Sequence, residues 1–491
     1  MMGMANRIGA NRIGANRIGL KTRLKQGVMV LALTLAAPAA WAETLADALA
    51  DAYRNSGLLE QNRALLQAAD EDVAIATAAL RPILSWAADF TRTAGASGSD
   101  SAFAGRYFLT ERNIDSTDVT VSLVASLLLY DGGRTKLQVD VAKETVLATR
   151  EQLVGIEQNV LLTAVQAYMD VRSSSETVAL RQNNIRVIRE ELRAARDRFE
   201  VGEVTRTDVA TAEARLAAAN ANFVQAQGDL AIAIEDFRAA VGRKPGRLSP
   251  PPTYRNPAKS PDAAKGVAQR HHPAIKAQQH GVAANDIGVM IASSGASPEV
   301  NLVGRLSMVE GMDQRDFTKR GTIGIEASGP ISRGGELASR RRKAIVQANA
   351  SRAQLRQTSV EVAQAVGSSY ARLEVARSAV VATQEQIRAA RVAFRGVREE
   401  ATLGARTTLD VLNAEQELLD AQASLITARA QEYVAGYALL SAMGLLTAED
   451  LKLNVPQYDP TAYYNLVKDA PYPVSKQGAQ LDKVLKSLNK K

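Results

Sequence analysis

The chain of 491 residues contains two copies of one unit, and this duplication limits the folds that it can adopt. When the sequence is shifted by 202 residues, the glycine pairs at 132–133 and 334–335 coincide, and so do Gly242 and Gly444. Within 202–242 thirteen positions are identical in the second copy, without a gap. Such a constant offset indicates an internal repeat, which must be recognised before single elements are assigned.

Upstream of the paired glycines the two copies differ in length. Pro82 lies 50 residues before Gly132, whereas Pro298 lies 36 residues before Gly334. We attribute the difference to a surface loop that is 14 residues shorter in the second copy, because loops tolerate changes in length. The predicted organisation is a leader at 1–42, a first repeat at 43–242, a proline-rich linker at 243–261, a second repeat at 262–444, and a tail at 445–491 with a disordered Lys-rich end.

Each repeat is predicted to contain an Ala-rich helical stretch (44–80 and 262–296), two strands, a long helix and a further helix. The strand segments alternate apolar with small or polar residues, as a strand with one apolar face does. In the first segment Leu84, Trp86 and Phe90 alternate with Ser85, Ala87 and Asp89. The four predicted strand segments are 83–92, 118–129, 299–308 and 321–329. The fold class is therefore α+β, with a duplicated strand–strand–long-helix module.

Two interpretations of these strands remain open. They could form a small soluble sheet with one buried face, or they could be barrel strands with one face toward lipid. Four strands cannot close a water-filled barrel, so lipid-facing strands would require several chains, and three chains would supply twelve strands. The aromatic residues near the strand and loop ends are candidates for an interfacial girdle or for ordinary packing: Trp86, Phe90, Tyr107 and Phe108.

The long helices are predicted from composition and spacing. Residues 134–200 contain no proline and one glycine, Gly155, which predicts a helix of ~100 Å, and 336–400 is similar. Apolar residues recur every seven positions from Val139, with one step of four that ends at Val171. A four-residue step relaxes left-handed coiling, which suits either helices packed side by side or a plain coiled coil. Gly202 and Gly404 end these helices, and each is followed by helix-start residues and a helix of about 35 residues.

The N-terminal segment and the composition narrow the function classes. Lys21, Arg23 and Lys25, an apolar run at 28–37 and Ala40-Trp41-Ala42 have the order of a secretory signal peptide. The formal net charge is +8, and six cations lie in this leader without an acid, so the remainder carries about +2 and does not indicate nucleic-acid binding. The chain has no cysteine, which excludes disulfides and thiolate sites.

The motifs resemble those of the TolC family of outer-membrane efflux and type I secretion channels. Tyr130-Asp131-Gly132-Gly133 opens the first long helix, and Pro330 precedes the second copy of this motif where the first copy has Leu128. The hairpin motifs are similar as well: Phe199-x-x-Gly202-x-x-Thr205-x-Thr207-Asp208-Val209 and Gly404-Ala405-Arg406-Thr407-Thr408-Leu409-Asp410-Val411. The tail Tyr458-Asp459-Pro460-x-x-Tyr463-Tyr464 is similar to members that serve type I secretion.

The resemblance implies a homotrimer in which four strands per chain close a 12-stranded β-barrel in outer-membrane lipid. The long helical hairpins would form a periplasmic α-helical tunnel, and the linker and tail would form a belt around it. The implied partners are a periplasmic adaptor protein and an inner-membrane transporter, and the implied cargo is small molecules, proteins or both. The resemblance implies no cofactor and no nucleic acid.

The resemblance also implies a gating site near the hairpin turns. Arg406 would pair with Thr207 and Asp208 of the first repeat as a latch. Asp410 and Asn413 match the two aspartate rings of the family's periplasmic constriction, and only one of them is acidic here. Helix capping is the alternative role for Asp208 and Asp410, and the two roles are compatible.

Other functions have weaker support in the sequence. No nucleophile–base set or metal quartet stands out, so we predict neither an enzyme nor a metal site, and the three histidines, His271, His272 and His280, lack zinc-site spacing. The glycine pairs do not form a phosphate-binding motif. The alternatives are a periplasmic adaptor, which would contain one hairpin, and an exported coiled-coil structural protein, which would lack barrel strands.

Overall fold

A computed structural model describes residues 43–252, 258–312, 316–472 and 475–488, so the predicted leader at 1–42 lies outside the described residues. The first copy contains α1 (Leu45–Asn55), α2 (Gly57–Ala78), β1 (Ile83–Phe103), β2 (Arg106–Tyr130), α3 (Arg134–Glu200) and α4 (Arg206–Val241). The second copy contains α5 (Pro261–His271), α6 (Pro273–Ser294), β3 (Glu299–Gly311), β4 (Phe317–Ser328), α7 (Glu336–Thr402) and α8 (Thr408–Ala442). Two helices in the tail follow, α9 (Pro460–Val467) and α10 (Lys476–Leu488). This order confirms an α+β fold built from a duplicated module.

Three pairs of corresponding helices in the two copies have equal lengths. Helices α1 and α5 have 11 residues each, α2 and α6 have 22, and α3 and α7 have 67. A contact between side chains is repeated too. Arg150 on α3 lies 3.8 Å from Asp70 on α2, and at the same place in the second copy Arg352 on α7 bonds Asp286 on α6 at 2.7 Å. The duplication therefore extends to side-chain packing.

Each Ala-rich stretch before the strands forms two helices, although its composition suggested one. In the first copy the Ser56 hydroxyl accepts a hydrogen bond from the Leu59 N–H at 3.3 Å and caps a new helix. In the second copy Pro273 opens α6, because proline is suited to the first turn of a helix and not to its interior. The His272 ring caps this helix by accepting from the Ala274 N–H at 3.2 Å.

The four strands form one antiparallel sheet in the order β1-β2-β3-β4, so β1 and β4 each have one neighbour within a chain. Trp86 lies opposite Leu123, Leu123 opposite Leu306, and Leu306 opposite Gly321. Because opposed residues share a face, this register puts the apolar residues of all four segments on one face. That face is open to the surroundings in a single chain, where Trp86 is 77% exposed and Ile323 is 81% exposed.

The other face of the sheet carries mostly polar or small side chains. Ser85 lies opposite Val124, Val124 opposite Arg305, and Arg305 opposite Thr322. One sheet thus separates an apolar side from a polar side across its whole width. The prediction that the alternating apolar residues share one face is confirmed. A register shift of one residue on any strand would have moved the apolar side chains of that strand to the polar face.

The extra residues of the first copy form strand, so the prediction of a longer surface loop is wrong. β1 pairs with β2 without interruption from Ile83 to Phe103, whereas β3 pairs with β2 only from Tyr130 to Asp118. The connection is the two-residue turn Ala104-Gly105, with φ of 50° and 76°. Positive φ at both turn positions matches the twist of paired strands. The tight turn keeps the Ala-, Gly- and Ser-rich end of β1 in register with β2, although the sequence of this segment does not alternate.

The long helices follow the predicted spacing closely. The heptad positions of α3 that are less than a tenth exposed are Val139, Val146, Val160, Ala167, Val171, Ile185 and Leu192. Phe199, the last predicted position, is 44% exposed because α3 ends one residue later. None of the described helices has the length and apolarity that crossing a membrane would need.

The largest buried cluster lies where α1, α3 and α4 meet the residues after α8. In it the Tyr168 hydroxyl is within hydrogen-bonding distance of the carbonyl oxygens of Glu43 at 3.0 Å and Ser249 at 2.7 Å. Arg243 bonds the carboxylates of Glu43 and Asp51, each at 2.8 Å. The linker is therefore fastened to the start of the first repeat beside the middle of the long helix.

The predicted disordered end of the tail stays a prediction, and its last residues, 489–491, lie outside the described residues. Helix α10 covers 476–488, and Leu481 packs beside Tyr463 and Val467 of α9 and Ala74 of α2. Arg81 donates to the carbonyl of Ala470 at 2.6 Å just before α10. The Lys-rich composition obscured an apolar side that holds this helix to the rest of the tail.

Asp70 is an uncommon buried acid between α2, α3 and the tail. Its side chain is fully buried, and neither carboxylate oxygen has a hydrogen-bond partner among the described residues. Burial raises the pKa of Asp70 to about 6, and the nearby Arg150 guanidinium only partly opposes this shift. Between the ordinary value of 3.8 and about 6 the folded chain therefore binds more protons than the unfolded chain, so acidification through this window stabilises the fold.

We expect Asp70→Asn to stabilise the protein at pH 7.5 by about 1–3 kcal/mol, because the variant no longer buries an ionised carboxylate. The gain should disappear toward about pH 3, below the ordinary value of 3.8, because Asp70 is then protonated in both states. Thermal unfolding of the two proteins at pH 7.5 and about pH 3 measures this difference. Asp286→Asn is the matched control: Asp286 is partly exposed and bonded to Arg352, so this change should not stabilise the protein at either pH.

Candidate gating site at the helical hairpin turns

Each long helix ends at a glycine with a left-handed backbone. Gly202 has φ of 79° and Gly404 has φ of 77°, a conformation that side chains with a Cβ rarely adopt. After the first glycine the Glu203 N–H donates to the Arg198 carbonyl at 2.9 Å, and after the second the Ala405 N–H donates to the Glu400 carbonyl at 2.9 Å. These bonds satisfy carbonyl groups at the helix ends and reverse the chain in the same way in both copies.

A reciprocal cap starts each returning helix. The Asp208 carboxylate accepts from the Thr205 N–H at 2.9 Å and from its hydroxyl at 2.7 Å, while the Asp208 N–H donates back to that hydroxyl at 3.3 Å. Asp410 and Thr407 repeat the arrangement at 3.0, 2.8 and 3.2 Å. The side chain of Thr205 lowers the pKa of Asp208, and the backbone N–H of Thr407 lowers that of Asp410, so both aspartates are ionised at neutral pH. The capping role proposed for these residues is therefore present.

Arg406 points to its own turn in the single chain. Its Nε donates to the Glu400 carboxylate at 2.9 Å, and both side chains are about half exposed. The Thr207 carbonyl accepts from the Thr211 hydroxyl at 2.8 Å, within the first hairpin. The chain by itself thus does not bring Arg406 to Thr207 and Asp208, and that latch stays a prediction about assembled chains.

Asn413 connects the two hairpins. Its side-chain oxygen accepts from Arg215 Nη2 at 2.9 Å, which joins α8 of the second hairpin to α4 of the first. Asp410 lies three residues before Asn413 on α8 and is partly exposed. The arrangement brings a cation to the side of α8 on which the family resemblance predicts a constriction.

Two further contacts between hairpins involve buried acids, of which sequence reasoning did not select Glu415. Glu191 on α3 lies 3.2 Å from Arg398 on α7, and Asn184 on α3 donates to Glu415 on α8. Burial raises the pKa of Glu415, and the bond from Asn184 opposes the shift. A signal existed for Glu415, because the repeat has an identical glutamate at position 213.

An apolar cluster surrounds these polar contacts. Its buried members are Ile185, Ile188, Leu192, Ala212, Ala219 and Leu412. They come from α3, α4 and α8, so the two hairpins of one chain pack together close to their turns. Ala401, near the end of α7, is buried as well.

The described residues contain no group of three or more His, Cys, Asp or Glu side chains that could hold a metal ion. The two histidines with assigned contacts have structural roles, one as the cap of α6 and the other at 2.8 Å from Glu144. The contacts at the turns are hydrogen bonds, ion pairs and apolar packing.

Comparisons with known proteins agree with this architecture. The family model "Outer membrane efflux protein" matches residues 48–243 and 266–445, which correspond to the two repeats. The outer membrane efflux protein BepC of Brucella suis is 36% identical over 455 residues, covering 91% of this chain and 96% of BepC. The proteases secretion protein PrtF of Dickeya chrysanthemi is 26% identical over 452 residues, covering 87% of this chain and 94% of PrtF.

A solved structure has the same fold. The outer membrane protein VceC of Vibrio cholerae superposes with a TM-score of 0.67 at 21% identity, covering 82% of this chain and 96% of VceC. The matches extend over both repeats and include the strands and the helical hairpins. The chain therefore belongs to the outer membrane efflux protein family, and it is a TolC-family channel protein of the outer membrane.

Proposed function

We propose that three copies of this chain form one export duct, which crosses the outer membrane as a 12-stranded barrel and continues into the periplasm as a helical tunnel. The observation that carries the proposal is the sheet, which has one apolar face and two strand edges without partners among the residues that the structure describes. Unpaired backbone groups in hydrocarbon cost several kcal/mol each, so such a sheet needs further strands on both sides. Copies joined edge to edge, β1 to β4, supply them.

The two faces of the sheet fit the two environments of such a barrel. The apolar face would meet lipid, and Trp86 and Phe90, both at least 70% exposed, suit the membrane interface. The opposite face, with Asp89, Arg305 and Glu326, would line a water-filled lumen. A soluble sheet with one buried face is less favoured, because nothing in the described part of the chain covers the apolar side.

The long helices support the tunnel. Each of α3 and α7 is ~100 Å long and is continuous with the sheet through the glycine pairs, so the hairpin turns lie far from the membrane. At this end Asp410 and Asn413 would face the axis as the periplasmic constriction. Arg406 would leave Glu400 and bond Thr207 and Asp208 of an adjacent hairpin as the latch.

The remaining parts have roles that follow from this assembly. Residues 1–42 would be removed on export, and the linker and tail, fastened beside the middle of α3, would form a belt around the tunnel. A periplasmic adaptor and an inner-membrane transporter would deliver small molecules or proteins, without a catalytic step in this chain. A periplasmic adaptor or a coiled-coil rod would not need the four-stranded sheet.

We expect the mature protein to be recovered with outer membranes as a trimer that heat or SDS dissociates, because the barrel closes only with three copies. Fractionation, followed by electrophoresis of heated and unheated samples, measures this. Recovery as a soluble monomer in osmotic-shock fluid would contradict the proposal.

We expect Arg406→Ser to raise single-channel conductance in planar bilayers, because it removes the cation of the latch while leaving the capping boxes intact. Arg388→Ser is the control, since Arg388 forms an exposed ion pair with Glu385 on the same helix, away from the turn. Equal conductance of wild type and Arg406→Ser would remove Arg406 from the gate.

A further inference from the structure

The polar face of the sheet carries two arginine residues whose charge is not neutralised. Arg305 on β3 and Arg320 on β4 are both exposed, and neither forms an ion pair with any other residue that the structure describes. Arg134 at the start of α3, which lines the same cavity as Arg305, bonds Glu299 at 2.8 Å and so has its charge balanced. The two strand arginines are therefore available to a ligand.

The register of β3 and β4 places these two arginines next to each other. Arg305 lies opposite Thr322, and Arg320 lies opposite Ser307. The arginines thus occupy diagonal positions of one antiparallel strand pair, and they share the polar face because opposed residues lie on the same face. Diagonal neighbours lie about 7–8 Å apart, within reach of long side chains. Both guanidinium groups can therefore contact one small ligand.

Hydroxyl groups and small or apolar side chains surround the pair on this face. The neighbouring positions are Ser122, Val124, Val303, Ser307, Val309, Thr318, Thr322 and Gly324. The acids of the face lie further away. Asp118 is four residues from Ser122 along β2, and Glu326 is four residues from Thr322 along β4, which is about 13 Å in each case. Asp89 belongs to β1, two strands from β3.

The chemistry of this arrangement is that of an anion site. Two unpaired guanidinium groups repel each other, and an anion between them replaces the repulsion with attraction. A guanidinium group presents its N–H groups as a fork that matches the oxygen atoms of a phosphate or a carboxylate. Thr322 and Ser307, each opposite one of the arginines, add hydroxyl donors beside the fork.

We propose that Arg305 and Arg320 form an anion-binding site in the lumen of the duct, and that this site favours solutes with phosphate or carboxylate groups over cations. Two guanidinium groups per copy give six in three copies, at two adjacent levels of one lumen. Rings of arginine side chains confer a preference for anions on a pore. The inference rests on the proposed duct and deepens it, because it names a class of solute and the side chains that recognise it.

The site acts at a different place from the proposed constriction. Asp410 lies at the far end of the long helices, ~100 Å from the sheet, so its charge is screened from the lumen site at physiological salt. A solute that has passed the hairpin turns then meets charge of the opposite sign in the barrel. Preference for anions is therefore a property of the sheet, and it can be measured separately from the gate.

The ion selectivity of channels in planar bilayers tests the site. We expect Arg305→Gln/Arg320→Gln to lower the ratio of chloride to potassium permeability about threefold at ~0.1 M salt, where a charge acts over about 10 Å. The effect should nearly vanish at ~1 M salt, where this distance is about 3 Å. Reversal potentials in a gradient of KCl give the ratio.

The matched control is Lys319→Gln, which removes the charge of the residue next to Arg320. Lys319 lies opposite Met308 on the apolar face, and its Nζ is 5.3 Å from the centre of the Phe317 ring. We expect this change to leave the permeability ratio of the wild type unaltered, because the charge that it removes does not face the lumen.

Inorganic pyrophosphate tests binding as distinct from charge. We expect it to lower the chloride preference of the wild type to that of Arg305→Gln/Arg320→Gln, on which it should have no effect. Arg305→Lys/Arg320→Lys should keep the chloride preference, because the charge remains. This variant should respond less to pyrophosphate, because lysine lacks the planar fork.

The outcomes separate the anion site from the duct on which it rests. Wild-type selectivity in Arg305→Gln/Arg320→Gln, or a wild-type channel that does not respond to pyrophosphate, would overturn the site and leave the duct intact. If the double variant forms no channels, the response of the wild type to pyrophosphate decides. Wild-type protein that forms no channels would overturn the proposed duct itself.

Discussion

Backbone hydrogen bonding at the edges of the sheet is the constraint on which the rest of the structure depends. The apolar face calls for lipid, and lipid offers no water to the N–H and C=O groups of β1 and β4. A sheet of four strands can meet both conditions only if it becomes part of a larger closed surface. The same requirement extends to the long helices, because each strand pair continues into a helical hairpin, and in the proposed assembly neighbouring sheets would bring neighbouring hairpins side by side.

The internal duplication meets the same constraint with a single repeated module. A module that packs against its own copy within the chain presents, on its two outer sides, the two halves of that same interface. The α3–α6 contact, in which His280 lies 2.8 Å from Glu144 and Lys276 lies 3.9 Å from Glu151, shows how such halves fit within one chain. Ordinary helix packing inside the chain is therefore also a guide to packing between chains.

Sequence reasoning predicted much of this fold because the relevant signals are local or periodic. The alternation of residue types predicted which strand side chains share a face. The heptad spacing predicted the buried positions of α3 from Val139 to Leu192, and Gly202 and Gly404 predicted the turns. It failed where pairing overrides composition, as in the Ala- and Gly-rich part of β1, which is held in place by β2. It also missed Asn184 with Glu415, because 231 residues separate them and no local pattern joins them. For Arg406 the family resemblance named partners in the other hairpin, whereas the single chain satisfies Arg406 with Glu400 and uses the Asp208 carboxylate in a cap.

The equal lengths of α3 and α7 have a mechanical consequence. With 67 residues in each copy, the two long helices of a chain have the same length, so in the proposed assembly all the hairpin tips would lie in one plane. Inserting one residue in α7 would lift one tip by about 1.5 Å and rotate its surface by about 100°. The end of the proposed assembly would be flat enough to contact another ring of subunits only while the two long helices have the same number of residues. Equal helix length is therefore a structural requirement for that contact.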